Sequence, residues 1–299
     1  MNEIIQKCRY CNSKEIAAYK KIDEFIICYC EKCHLLFTAS NVVDIKGKVN
    51  KEWYSDQYIS NYLKQELKLK KRFRQKIQEI ELVKKGGKLL DLGCGVGLFL
   101  ETMLETANYK WVLHGVEINE GLIVEAKRRL GQKISNLHLG RLTTLRFEKD
   151  FFDCITCFDV LEHDDQLEST LREIKRILKP SGTLLIQSPN QFSAMSYLCG
   201  ALWDWWAVPD HIFHFNPRSL SSILVSKGFH IRKLYTWDPQ ADFILNIQGA
   251  IRARFRARSL IGRLAARGLY IPLLLLWKLL SIVEIRFNIG GLLVISAEG

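Results

Sequence analysis

Cysteine is scarce outside one short stretch: of nine in 299 residues, five fall between Cys8 and Cys33. That distribution excludes a disulfide framework spread through the chain. Met1 to Gln6 contains no apolar run of the length a secretory signal requires, so a reducing, cytoplasmic setting is expected. Internal repeats and low-complexity tracts are absent, and with 48% hydrophobic residues the chain is too apolar to be disordered. One substantial core with smaller additions is the expected organisation. Acidic residues are missing altogether between positions 243 and 283, where six arginines and one lysine supply seven of the net +11 charges. The position of the charge therefore matters more than its total. The other dense basic run, Lys64 to Lys76, alternates with apolar residues at helical spacing and reads as a solvated helix face.

Against these absences stands a regular alternation of strand-like and helix-like segments. Helical spacing over residues 53 to 85 ends at Gly86-Gly87, ahead of a short apolar strand, Lys88 to Leu92. Further strands are predicted at Trp111 to Val116, Leu137 to Leu139, Phe152 to Phe158, Thr183 to Gln187, Phe229 to Trp237 and Gly291 to Ala297. Amphipathic helices are predicted at Leu98 to Thr106, Leu122 to Leu130, Leu167 to Leu178 and Pro217 to Lys227. Strands alternating with helices imply an α/β fold, a doubly wound, mostly parallel sheet covered on both faces. The expected domains are a cysteine-rich module over residues 1–40, the α/β domain over 41–239 completed by a last strand in 290–299, and an insertion over 240–289.

Leu89-Leu90-Asp91-Leu92-Gly93-Cys94-Gly95-Val96-Gly97 runs from a strand into a helix with glycines at alternate positions. Glycine there lets the backbone turn tightly and approach a ligand closely. Asp91 ends the strand, where an acid reaches a cationic ligand group through water or the turn's backbone. Glu117 ends the next strand, placed to accept hydrogen bonds from both hydroxyls of a ribose.

Asp91 to Gly97, followed by Glu117 in His114-Gly115-Val116-Glu117-Ile118, resembles motif I and the following acid of class I methyltransferases. The resemblance continues through Phe151 to His163, through Leu178-Lys179-Pro180-Ser181-Gly182-Thr183-Leu184 and through Ser188-Pro189-Asn190, covering about residues 85 to 237. It is with the bacterial branch that includes ubiquinone-biosynthesis O-methyltransferases and polysaccharide and sugar methyltransferases. This resemblance implies S-adenosylmethionine as cofactor, a seven-stranded sheet of order 3-2-1-4-5-7-6, and a site over Asp91, Gly93, Cys94, Gly95, Gly97, Glu117 and Ile118. It places the methionine end near Phe158 and Asp159. Many relatives carry an acid for the adenine amino group after the third strand. Gly140-Arg141-Leu142-Thr143 has none, so backbone and the apolar face of Leu142 are expected to serve instead.

Cys8-x-x-Cys11 and Cys30-x-x-Cys33, eighteen residues apart, have the spacing of a four-thiolate zinc ribbon. Four thiolates close the coordination sphere, so the expected Zn2+ is structural; Cys28 and His34 are placed outside it.

On the acceptor side, transfer to a hydroxyl requires a proton acceptor. His163 follows the fourth strand at its carboxyl end, and His211 and His214 lie in Pro209-Asp210-His211-Ile212-Phe213-His214-Phe215, after Trp203, Trp205 and Trp206. The tryptophans read more readily as packing than as pocket walls. The family resemblance selects His211, leaving His163 as the second candidate.

Residues 268 to 285 are strongly apolar, but Pro272, Lys278 and Glu284 interrupt them and the next strand must return to the sheet, which disfavours a membrane span. Two readings remain open for the segment beside Arg252, Arg254, Arg256, Arg258, Arg263 and Arg267. It is either an interfacial anchor on anionic membrane or a helical pair packed on its own domain or a second subunit. The leading function is methylation of a small-molecule or glycolipid acceptor. The alternatives are methylation of RNA, with arginines against nucleic-acid phosphate, a non-catalytic scaffold of the same fold, and, from the glycines alone, an NAD-dependent dehydrogenase.

Overall fold

The computed structural model describes residues 6–39, 56–239, 243–244, 246–247, 277–278 and 286–299. Of the residues on which the membrane-anchor reading rests, Arg252 to Arg267, Leu273 to Leu276, Leu279 and Leu280 lie outside the described residues, whereas Trp277 packs against the cluster of Met195, Trp203 and Trp206 and donates from Nε1 to the Asp238 carbonyl at 3.0 Å. Among the described residues no helix is long and apolar enough to cross a membrane. Two compact units are formed: one from 6–39, 187–222 and the described part of 234–294, the other from 56–186, 223–233 and 295–299.

Strands β1 (Ile16–Ile22), β2 (Phe25–Cys30) and β3 (Leu36–Thr38) precede helices α1 (Asp56–Leu63) and α2 (Glu66–Val83). Then follow β4 (Gly87–Leu92), α3 (Leu98–Thr106), β5 (Trp111–Glu117), α4 (Glu120–Leu130), β6 (Asn136–Leu139), β7 (Phe152–Phe158), α5 (Leu167–Ile177) and β8 (Leu178–Pro189). Helix α6 (Ala194–Cys199), β9 (Phe213–His214), α7 (Pro217–Ser226), β10 (His230–Trp237) and β11 (Leu292–Glu298) complete the set.

Seven strands form one sheet in the order β10-β11-β8-β7-β4-β5-β6. Numbered within the sheet, this is the 3-2-1-4-5-7-6 order implied by the sequence. The interior strand β4 is parallel to both neighbours, with Asp91 level with Gly115 of β5 and Thr156 of β7. Leu89, Leu90, Ile155 and Cys157 are fully buried, as strands covered on both faces require.

Local chemistry sets the helix ends. Helix α4 is capped by the Asn119 side chain, which accepts from the Leu122 amide at 3.1 Å. Glu120 lies in its first turn and Lys127, Arg128 and Arg129 in its last, complementing the helix dipole. Helix α5 stops at Ile177, two residues before Lys179-Pro180, and the backbone turns extended at Leu178. Strand β8 consequently starts five residues before the expected Thr183.

The basic run Lys64 to Lys76 keeps Lys64, Lys71 and Arg74 exposed but departs from a solvated face at two positions. Lys70 and Lys76 on α2 are both buried. Lys70 lies 2.7 Å from Glu105 and 3.2 Å from each of Glu66 and Glu101, so three carboxylates replace its water. Helical spacing shows which face a lysine shares, but not whether acids on other helices meet it.

The other unit contains a four-stranded sheet in the order β1-β2-β3-β9. Its core joins Ile22, Ile27 and Leu36 to Met195, Trp203 and Trp206. Trp203 and Trp206 are packing residues, each 2% exposed.

Candidate functional site

Strand β4 leads straight into the glycine turn. The Gly93 and Cys94 amides both donate to the Val116 carbonyl, at 2.8 and 3.0 Å, folding the turn over the end of β5. The glycines divide by role. Gly93 and Gly97 have φ of +72° and +79°, and a Cβ on either would stand 2.3 Å from Val160 Cγ2 or 2.8 Å from Leu130 Cδ1. Gly95, at φ +53°, has no described atom within 4 Å of its Cβ position. The outer two allow close packing, and the middle one faces open space.

Glu117 organises this turn. Its Oε2 accepts from the Gly95 amide at 2.9 Å, and its Oε1 from Ile118 and Asn119 at 2.8 and 2.9 Å. Burial raises the carboxyl above the ordinary value, and these three amides oppose the rise. A carboxylate offers about four acceptor positions, so acceptor capacity remains for a ligand hydroxyl. Beside it, Ile118 is 59% and Leu139, level with Glu117 on β6, 46% exposed. These apolar groups suit the face of an aromatic base. Leu142, expected to offer that surface, is 3% exposed in a short helical turn over Leu142–Thr144.

Asp91 is buried beneath the turn, its Oδ1 accepting from the Thr156 hydroxyl at 2.7 Å. Burial pushes its carboxyl up to about 7; the Thr156 hydrogen bond opposes this and the Glu117 charge adds to it. A cationic ligand group would reverse the rise. Cys94 is buried, its thiol raised well above the ordinary value by burial and by the Asp91 and Glu117 charges, which makes it a packing group and no nucleophile.

Phe158 packs edge-on against Phe99 of α3 at 5.1 Å and stacks with Phe73 of α2 at 6.2 Å. Asp159 follows at φ +57°, a conformation few non-glycine residues adopt. Lys76 was not foreseen from the sequence. Its ammonium is buried and lowered to about 8 by desolvation, an effect countered by the charges of Glu79 and Asp159 and reinforced by that of Lys233. Thr156 was also missed, because its role depends on lying level with Asp91 across two strands.

His163 ends the helical turn Leu161–His163 in the unit that holds the glycine turn. His211 belongs to the other unit, where its Nδ1 lies 3.0 Å from the Trp205 carbonyl oxygen. His214, two residues on, is fully buried and held near 3 by desolvation, so it stays neutral. It is no base at physiological pH.

The four sequence-selected cysteines come together: Cys8 Sγ is 3.6 Å from Cys33 Sγ, Cys11 Sγ is 3.5 Å from Cys30 Sγ, and all four sulfurs lie within 4.8 Å of one another. A tetrahedral zinc with bonds of about 2.3 Å requires sulfurs roughly 3.8 Å apart. The hydrogen bond from Cys33 lowers the Cys8 thiol to about 5, while the same bond raises Cys33 and burial raises Cys11 to about 11. Such crowding suits a divalent ion that neutralises the thiolates. Cys28 lies outside the cluster, as the sequence indicated.

Comparison with known proteins accords with this geometry. A family model described as "Methyltransferase domain" matches residues 64–234. A ubiquinone biosynthesis O-methyltransferase of Coxiella burnetii is 29% identical over 166 residues, covering 53% of this chain and 70% of the relative. Among solved structures, an S-adenosylmethionine-dependent methyltransferase from Archaeoglobus fulgidus superposes with TM-score 0.51 at 20% identity, covering 78% of this chain and 94% of that one. Phosphoethanolamine N-methyltransferase 2 of Haemonchus contortus, in complex with S-adenosyl-L-methionine, gives TM-score 0.54 at 19% identity, covering 88% and 62%. With motif I, the strand order and a family match over more than half its length, this chain belongs to the methyltransferase-domain family and is a class I S-adenosylmethionine-dependent methyltransferase.

Proposed function

We propose that the enzyme methylates a hydroxyl of a small-molecule acceptor, a sugar, glycan or lipid-linked compound, with His211 as the proton-accepting side chain and His163 as the second candidate. The observation that carries this reading is the 3.0 Å contact of His211 Nδ1 with the Trp205 carbonyl. A carbonyl only accepts, so Nδ1 carries a proton and Nε2 is the ring nitrogen through which a general base would act. The Coxiella burnetii relative, named an O-methyltransferase, supports a hydroxyl acceptor.

S-adenosylmethionine, when bound, supplies a methyl group on a sulfonium that is already a good leaving group. The chain's own task is to align the acceptor and remove its proton. Glu117 is assigned to the ribose hydroxyls, Gly95 to close backbone approach, and Ile118 and Leu139 to the adenine face. Asp91 and Lys76, buried groups of opposite sign, suit the ammonium and carboxylate of the methionine end. Cys8, Cys11, Cys30 and Cys33 are assigned to a structural Zn2+, whose closed sphere leaves no position for activated water.

The test incubates purified enzyme with methyl-labelled S-adenosylmethionine and separated small-molecule, lipid and RNA fractions of cells lacking it. Mass spectrometry then seeks the mass gain of one methylation. Labelling of a small-molecule or lipid hydroxyl, reduced roughly 10²- to 10⁴-fold by His211→Gln, is expected. Label confined to RNA, or undiminished by His211→Gln, would overturn the assignment.

A further inference from the structure

The cysteine cluster and His211 are distant in sequence, but both adjoin one sheet: Cys30 ends β2, and His211 lies two residues before β9. Strand β9 pairs antiparallel with β3, Leu36 opposite His214 and Phe37 opposite Phe213. The pairing continues past the strand ends, where the Thr38 amide donates to the Ile212 carbonyl at 2.9 Å. Thr38 is the point of closest coupling. Its hydroxyl donates to the His211 carbonyl at 2.8 Å, across 173 positions of sequence. Because that proton is committed, the contact between Thr38 Oγ1 and His214 Nε2 at 3.0 Å makes the imidazole the donor. Neutral His214 therefore carries its proton on Nε2, and a residue unsuited to act as a base becomes a fixed strut.

The other end of the chain of contacts lies inside the first cysteine pair. Arg9, between Cys8 and Cys11, donates from Nε to the Thr38 carbonyl at 2.8 Å. Cys30, in the second pair, donates its amide to Leu35 at 3.0 Å, next to the residue opposite His214. Thr38 and His214 are both fully buried, so losing a partner would leave a polar group without water to replace it. The His211 carbonyl is fixed by Thr38 and its ring by the Trp205 carbonyl, which together leave the imidazole little freedom.

We propose that the four-cysteine module is a positioning device for His211, with Thr38 as the positioning residue through which metal occupancy reaches the acceptor side. This rests on the reading of His211 as proton acceptor. It gives the module a role within its own chain, with no nucleic acid required.

The experiment uses the full-length protein with zinc bound and after its removal by chelation, the metal content verified in each. Hydrogen exchange in residues 211–215 is expected to quicken about tenfold on metal removal, while β4 stays protected and the dissociation constant for S-adenosylhomocysteine changes less than about twofold. Thr38→Val, which keeps shape but removes the hydroxyl, tests the coupling with the metal in place. In histidine-labelled protein the imidazole ¹⁵N signals of His211 are expected to move in Thr38→Val and return in Thr38→Ser. Protection of 211–215 that ignores the metal, or a His211 spectrum unchanged by Thr38→Val, would overturn the proposal. Failure of the parent to bind S-adenosylhomocysteine would instead overturn the catalytic reading, and is distinguishable because exchange and spectrum are read independently of it.

Discussion

Thr156→Val isolates the electrostatics of the glycine-turn site. Thr156 is fully buried and donates to Asp91 Oδ1 at 2.7 Å, with the Leu90 carbonyl farther off at 3.4 Å. Valine keeps nearly the same shape, so the main loss is one hydrogen bond to a carboxylate, about 1.5 to 3 kcal/mol, or about one to two pH units. Burial already pushes Asp91 up to about 7 in the ligand-free protein. The variant should therefore titrate about one to two units higher. A cationic ligand group favours the carboxylate and a proton competes with it. Affinity should be full above the carboxyl's own midpoint and fall about tenfold per pH unit below it. Calorimetry with S-adenosylhomocysteine should show this fall in the parent below about pH 7, and in Thr156→Val already above it. Proton release, read from buffers of different ionisation enthalpy, should approach one per ligand on the acid side and vanish on the alkaline side. The folding contribution has the opposite sense: an acid raised by burial stabilises the fold while protonated, and the ligand-free protein loses that contribution as pH rises from about 4 to about 7. Parental affinity independent of pH, or a midpoint unmoved by Thr156→Val, would refute the placement of a ligand cation beside Asp91.

The glycine turn offers a paired test. Gly93→Ala adds a Cβ that meets Val160 at 2.3 Å and should cost about 2 to 5 kcal/mol of stability, whereas Gly95→Ala, with open space around it, should cost about 1 to 2 and chiefly weaken cofactor binding. Equal melting-temperature losses would contradict that division. His114, lowered to about 4 by burial and by neighbouring His138 and Lys88, contributes full stability above the ordinary histidine value of about 6.5 and loses it as pH falls toward 4. His114→Phe should flatten this acid loss in thermal unfolding, and parallel profiles of parent and variant would count against it. Elemental analysis should find one zinc per chain. Cys11→Ser should lower that content and shift tryptophan emission to the red, since Trp203 and Trp206 share a core with Ile22, Ile27 and Leu36 of the module's strands; unchanged emission in metal-depleted protein would disprove that dependence.

Much of the fold was legible because its strands are covered on both faces. Such strands need continuous apolar runs, and Phe152 to Phe158 and the helix Leu98 to Thr106 match in both bounds. The glycine turn and the paired cysteines were legible for a similar reason, since tight backbone approach and tetrahedral thiolate binding dictate local spacing. The sheet order came from the family resemblance, because periodicity alone does not say which strands are neighbours. What remained hidden depends on register. Thr156, like Asp153, reads as a polar residue in a mostly apolar strand until β7 is laid beside β4, which brings it level with Asp91. Lys70 reads as a surface lysine until Glu101 and Glu105 of α3 close on it.

Strand β9 shows the same limit and why it matters for function. Two residues, Phe213 and His214, are too short to establish an alternating pattern, and their partner β3 is far away in sequence. Locally, Pro209 to Phe215 looks like an aromatic loop with two interchangeable histidines. The pairing removes that symmetry. His214 points its proton at Thr38 inside a fully buried layer, while His211, just before the strand, keeps its ring on the Trp205 carbonyl. His214 is thereby committed to structure, while the His211 ring donates from Nδ1 to a carbonyl oxygen. A change confined to the N-terminal module, far from the family's motifs, should therefore alter how His211 is presented and spare the glycine turn that defines the family.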